Sequence, residues 1–209
     1  MSTTPAAVPA PTRPYRGGQV PVAGTYQLDT AHTTVEFVAR HLMITKVRGR
    51  FAQFGGSVQV AEVPEESSVE VTIDAASVDT NQDQRDAHLR SADFLDVEHH
   101  PTLRFTSTGV ADAGDGHWQV EGDLTVRGTT RPVVLEAAFE GGSVTPWGSR
   151  AVAFSAWTEI DREDWGLTYN QTLEAGGVLV GKKVRIELNV EAVLEEAGAE
   201  EAGTERGAA

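Results

Sequence analysis

Three histidines and three acids crowd into one stretch: His88, Asp93, Asp96, Glu98, His99 and His100. Imidazole and carboxylate are the donors that zinc and other divalent ions take, so the first chemistry to consider is a metal site. The spacing matches no helical pair of ligands, and a surface turn in an acidic protein gathers the same residue types without an ion. The solvated turn is the better reading, and no metal or other cofactor is expected. A second candidate is DREDWG, residues 161–166, where Asp161, Glu163 and Asp164 could work as acid and base. No nucleophile-and-base set accompanies them, and ion pairs with Arg162, Arg85 or Arg127 account for them as well. His32 and His41, flanking the strand-like TTVEFVAR, read as structural histidines bonding a backbone carbonyl. The Gly-Gly pairs at 55, 141 and 176 precede no helix, so they read as turns rather than phosphate loops.

These residues must be positioned by a chain of 209 residues, 40% hydrophobic and 23% charged, the balance of an ordinary globular domain. With no cysteine, disulfides, thiolate metal sites and cysteine nucleophiles are excluded. The formal charge of −14 would repel a phosphate backbone, so nucleic acid is not an expected partner. No run of eighteen apolar residues could form a spanning helix, and the N-terminus lacks the apolar stretch of a secretory signal; a cytoplasmic location is expected.

The histidine-rich stretch is where the chain stops alternating. Thr80 followed by Asp83 signals a helix start, and Gln82 to Arg90 holds good helix formers, with Asp86 and Arg90 four apart as an ion pair. Ser91 and Asp93 end it. Such a short helix is marginal in water and has to dock on sheet. On either side the sequence alternates with period two. Val184, Ile186, Leu188 and Val190 face one way in the last run, while Arg185, Glu187, Asn189 and Glu191 face the other. Eight or nine such runs with hairpin spacing and one short helix predict an all-β fold, an antiparallel up-and-down barrel or a sandwich; closure removes exposed edges, so a barrel of about eight strands with one helical insert at a mouth is expected. Its limits read as 24–194. Residues 1–23, with proline at 5, 9, 11, 14 and 21, read as a disordered arm, and 195–209 as a disordered acidic tail.

Four blocks in order carry a resemblance: YQLDTAHTTVEFVARHLMITKVRGRF, RDAHLRSADFLDVEHHPTLRF, GDLTVRGTTRPVVL, and IDREDWGLTYN followed by the long final strand. Together they resemble the YceI-like polyisoprenoid-binding proteins, although Tyr26 stands where that family often has tryptophan, and the signal peptide of many members is lacking. The resemblance implies a lipocalin-like barrel that holds a long isoprenoid or quinone-like lipid in its interior, stores or carries it without catalysis, and can form a homodimer. An enzyme acting on such a lipid, or a divalent-metal-dependent protein, is the alternative.

The aromatic residues Phe37, Phe51, Phe105, Trp118, Phe139, Phe154 and Trp157 sit at alternating strand positions and should share one interior. They could fill a solid core. The resemblance, and the moderate size of Val35, Val71, Ala137 and Ala153, favour a cavity. With Leu89 and Phe94 of the insert at its mouth, the expected lining is therefore Val35, Phe37, Phe51, Val71, Leu89, Phe94, Phe105, Trp118, Phe139, Phe154, Trp157 and Trp165.

Overall fold

Period-two alternation becomes sheet along almost the whole chain. The structure, a computed structural model, describes residues 10–42, 44–172 and 178–196. A hairpin comes first, β1 (Thr12–Tyr15) and β2 (Gly18–Pro21), then β3 (Gly24–Leu28), β4 (Thr34–His41), β5 (Thr45–Phe51), β6 (Phe54–Val60), β7 (Ser68–Asp74) and the short β8 (Val78–Asp79). The helix α1 (Asp83–Arg90) follows, then β9 (Thr102–Gly114), β10 (His117–Val126), β11 (Thr129–Val144), β12 (Arg150–Asp161) and β13 (Val180–Leu194).

The order β12-β11-β10-β9-β7-β6-β3-β13 returns to β12, a closed ring of eight antiparallel strands. β13 is long enough to pair with β3 near its C-terminus and with β4 along the rest, so β3 and β4 act as two halves of one wall strand. β5 and β6 likewise pair with β4 and β3 in turn. Closure leaves few backbone groups unpaired at sheet edges, which is what so many short strands require. Two glycines make room for aromatic rings on the inner face. Gly49 lies opposite Phe37 in the β4–β5 register, and Gly122 lies under Phe105 at a bulge between β9 and β10; a methyl at either position would collide with the ring.

Two expectations are corrected here. The arm is not structureless as far as residue 23: β1 and β2 form a hairpin whose Val20 is 4% exposed. Its turn places Arg16 and Gly17 both at positive φ, the backbone that matches the strand twist in a two-residue hairpin loop. Residues 1–9, and the acidic tail beyond Glu196, lie outside the described residues. Second, α1 does not start on Thr80. Asn81, at φ 58°, breaks the run, and Gln82 caps the helix by accepting from Arg85 N. Thr80 is buried instead, giving its backbone N–H and its hydroxyl to the equally buried Asp86 carboxylate. Asp86 thus makes no pair with Arg90, whose guanidinium donates to the carbonyls of Ala76 and Val78 and binds the helix to the chain entering it.

Candidate functional site

The inner faces of the strands surround a cavity of about 350 Å³, within the range of small-molecule pockets. Parity decides the lining. β4 contributes Val35, Phe37 and Ala39; β7 contributes Val69, Val71 and Ile73; β12 contributes Phe154, Ala156, Thr158 and Ile160; β13 contributes Val184, Ile186, Leu188 and Val190. The wall is carbon almost throughout. Side chains with a hydroxyl or charge on it are Thr33, Ser67, Thr158, Glu36 and Arg162, and Glu36 is turned outward to Arg48, 2.8 Å away. A buried water needs two to four polar partners, so this space suits an apolar occupant rather than water.

At one end of the barrel the insert closes the wall. Leu89, Phe94 and Leu95 face the cavity, and the rings of His88, Phe94 and Tyr169 pack on one another at 4.7–5.2 Å. Arg127 reaches across to the carbonyls of Ala92 and Gly166, joining the insert to the 162–166 turn. Trp165, 3% exposed, closes the same end and donates its indole N–H to Leu124 O at 2.9 Å.

Eleven of the twelve residues expected on the lining are on it: Val35, Phe37, Phe51, Val71, Leu89, Phe94, Phe105, Trp118, Phe139, Phe154 and Trp165. Trp157 is not. It has odd parity on β12, while Phe154 and Thr158 point inward; it stands outside, 41% exposed, with the Arg185 guanidinium 4.1 Å from its ring centre. Ala153 is outward for the same reason. The parity already visible in the sequence excludes both, because a shift of one residue exchanges the faces of a strand. The same parity places Thr158 and Ile160 on the lining, beyond the residues expected there. Val20 and Pro21 carry no such signal, since a proline-rich segment gives no period to read.

The acids of 161–164 are not paired as expected. Arg162 is 4% exposed and gives its donors to backbone carbonyls, to Gly181 O at 3.1 Å, to Leu167 O and toward Val180 O at 3.5 Å; burial pushes its guanidinium down from its ordinary pKa. It therefore anchors the chain between β12 and β13. Glu163 pairs with Lys182 at 2.6 Å, Asp161 accepts from Glu163 N, and Arg131 donates to the carbonyl of Asp164 rather than to its carboxylate. No hydroxyl or imidazole is joined to these acids among the described residues.

The insert histidines are held apart. His88 bonds Asp93 and His99 bonds Asp96, each at 2.9 Å, while His100 packs over Gly128. Ligand atoms that could share one ion come together elsewhere, at Asp29, His32 and Glu191, where His32 Nδ1 is 2.8 Å from Asp29 Oδ2. His32 thus bonds a carboxylate, not a backbone carbonyl. The hydrogen bond to Asp29 raises the His32 pKa and lowers that of the acid.

With this geometry, the sequence model of the YceI-like domain matches residues 26–192, nearly the whole barrel. The chain belongs to the YceI-like family. A UPF0312 protein of Vibrio cholerae is 39% identical over 175 residues, covering 82% of this chain and 88% of the relative. Among solved structures, BcnA of Burkholderia cenocepacia is similar with a TM-score of 0.69 and 21% identity, covering 78% of this chain and 98% of BcnA. A polyisoprenoid binding domain from Saccharophagus degradans is similar with a TM-score of 0.63 and 15% identity, over 81% of this chain and 98% of that domain. At these identities the two structures speak for the fold, the YceI-like barrel.

Proposed function

We propose that this YceI-like barrel binds a long isoprenoid chain, such as the tail of a quinone-like lipid, and stores or carries it without altering it. The observation that carries the reading is the cavity itself: its lining is almost entirely hydrocarbon from the insert at one end to Val20 at the other. Membership of a family whose fold is shared by a polyisoprenoid binding domain supports the same ligand class. Burying a methylene is worth about 0.8 kcal/mol, and the practical yield for larger ligands is about 0.3 kcal/mol per heavy atom. A chain of roughly thirty carbons would then gain about 9 kcal/mol, a Kd below micromolar, enough to survive purification. The non-catalytic part of the proposal is supported by the acids of 161–164, none of which lines the cavity: Glu163 is paired with Lys182 and Asp161 accepts from a backbone N–H. The quinone headgroup, a transport role, a homodimer and a cytoplasmic location are further parts of the proposal.

The test is organic extraction of the purified protein, with and without prior exposure to a lipid extract, followed by mass spectrometry and metal analysis. The expected result is an intact isoprenoid near one-to-one and no stoichiometric metal. A lipid that becomes shortened or modified with time, and stops changing in Asp161→Asn or Asp164→Asn, would replace the carrier by an enzyme. Absence of any lipid, together with no binding of a hydrophobic probe, would refute both.

A further inference from the structure

One end of the cavity is closed by a segment that precedes residue 26, where the match to the YceI-like family begins. Val20 and Pro21, at the end of β2, lie on the cavity wall. A two-stranded ribbon is marginal by itself in water, so its position depends on what holds it. The ties reach several separate parts of the rim. Arg13 Nη2 donates to Ala61 O at 3.1 Å and Glu62 O at 2.6 Å; Tyr15 OH donates to Glu65 at 2.8 Å; Arg16 spans Glu65 at 2.7 Å and Asp112 at 3.2 Å. The Tyr15 ring lies 6.4 Å from that of Trp118, and Pro11 and Thr12 cover the backbone at Gly142. Behind the hairpin, Tyr26 is fully buried and donates its hydroxyl to Val22 O at 2.9 Å, within a packed cluster of Val58, Val60, Val152, Ala192 and Leu194. Val58 and Val60 of this cluster border the cavity as well, so the packing runs without interruption from the wall to the hairpin. The other end carries the insert, with Leu89 and Phe94 on the wall.

Resting on the carrier reading above, we infer that the N-terminal hairpin is a chain-length stop. An isoprenoid enters at the insert end with its apolar tip leading, and the tip comes to rest on Val20 and Pro21. Val20 is the specificity-determining residue: a larger side chain shortens the usable cavity, and a smaller one lengthens it. On the practical scale used above, each isoprene unit that no longer fits inside forfeits about tenfold in affinity, so a stop of this kind is read as a cut-off in length rather than as a uniform loss of binding.

The experiment offers an equimolar ladder of all-trans isoprenoid alcohols, differing by one isoprene unit each, to the full chain, to Val20→Phe, to Val20→Ala and to a chain lacking residues 2–21. Bound species are extracted and quantified by mass spectrometry. The expected distribution moves at least one isoprene unit shorter in Val20→Phe. It moves toward longer chains in Val20→Ala, and in the deletion it loses its upper cut-off. Should the deletion not fold, the two point variants decide. A full chain that takes up the ladder with the same length distribution in Val20→Phe and Val20→Ala overturns the stop and leaves the carrier reading standing. A full chain that takes up no member overturns the carrier reading, and the stop falls with it.

Discussion

Replacing Phe94 by alanine tests whether the insert is a structural part of the barrel end. The ring is 6% exposed, packs at 5.0 Å on His88 and 5.2 Å on Tyr169, and borders the cavity on its remaining side. Buried Phe→Ala changes cost about 3–5 kcal/mol, the sum of lost transfer energy and a residual void. Because one side of this ring already faces open space, fewer contacts are lost than in a solid core, and the low end, about 3 kcal/mol, applies. For a domain of this size each kcal/mol lowers the midpoint of thermal unfolding by about 2–4 °C, so a fall of about 6–12 °C is expected. Urea unfolding should give the same loss in free energy at unchanged slope, since the surface exposed on unfolding scarcely changes. Bound lipid should also dissociate faster, because the ring covers the cavity beside Leu89 and Leu95. A loss of less than about 1 kcal/mol with an unaltered dissociation rate would refute the reasoning, since burial and packing of this kind could not then be holding the insert in place.

Trp157→Ala should lose no more than about 1 kcal/mol, the worth of an exposed cation–π contact with Arg185, and should leave the lipid content of the protein unchanged. A loss of bound lipid would contradict its outward orientation. Trp165→Phe keeps the apolar ring but leaves Leu124 O without its indole donor; about 1–3 kcal/mol should be lost in urea unfolding, and a neutral result would show that this bond is dispensable. His32 and His99, raised in pKa by Asp29 and Asp96, should titrate above 6.5 when followed by NMR, and return toward that value in Asp29→Asn and Asp96→Asn. Since the folded values exceed the unfolded ones, what these pairs add to stability is complete below the unfolded histidine pKa and disappears as pH rises through the folded one. Stability that instead grows across that interval through these two residues would contradict the assigned pairs.

The sequence by itself determined the faces. Strand side chains alternate whatever the strand pairs with, so Val184 to Val190 had to lie together opposite Arg185 to Glu191, and eight hairpin-spaced strands with one short helix left closure as the economical arrangement. The same parity was sufficient to place Trp157 outside, since it stands an odd step of three residues from the inward Phe154. The resemblance across four blocks supplied the barrel type, which alternation alone could not distinguish from a sandwich.

Only the tertiary structure decided which local signals prevail. Thr80 carried the signature of a helix cap, but Asp86 is brought close enough to take both its donors, and a buried carboxylate must be satisfied before a helix end gains its cap. Arg162 beside three acids reads as an ion pair along the chain; in the fold, burial places it among the carbonyls of Leu167, Val180 and Gly181, which lie up to nineteen residues away. The hairpin at residues 12–21 is the largest such case. Its composition is that of a solvated arm, and a two-stranded ribbon gains little from local contacts. What holds it are partners 48 to 96 residues distant, Ala61, Glu62, Glu65 and Asp112, which the barrel places beside the hairpin.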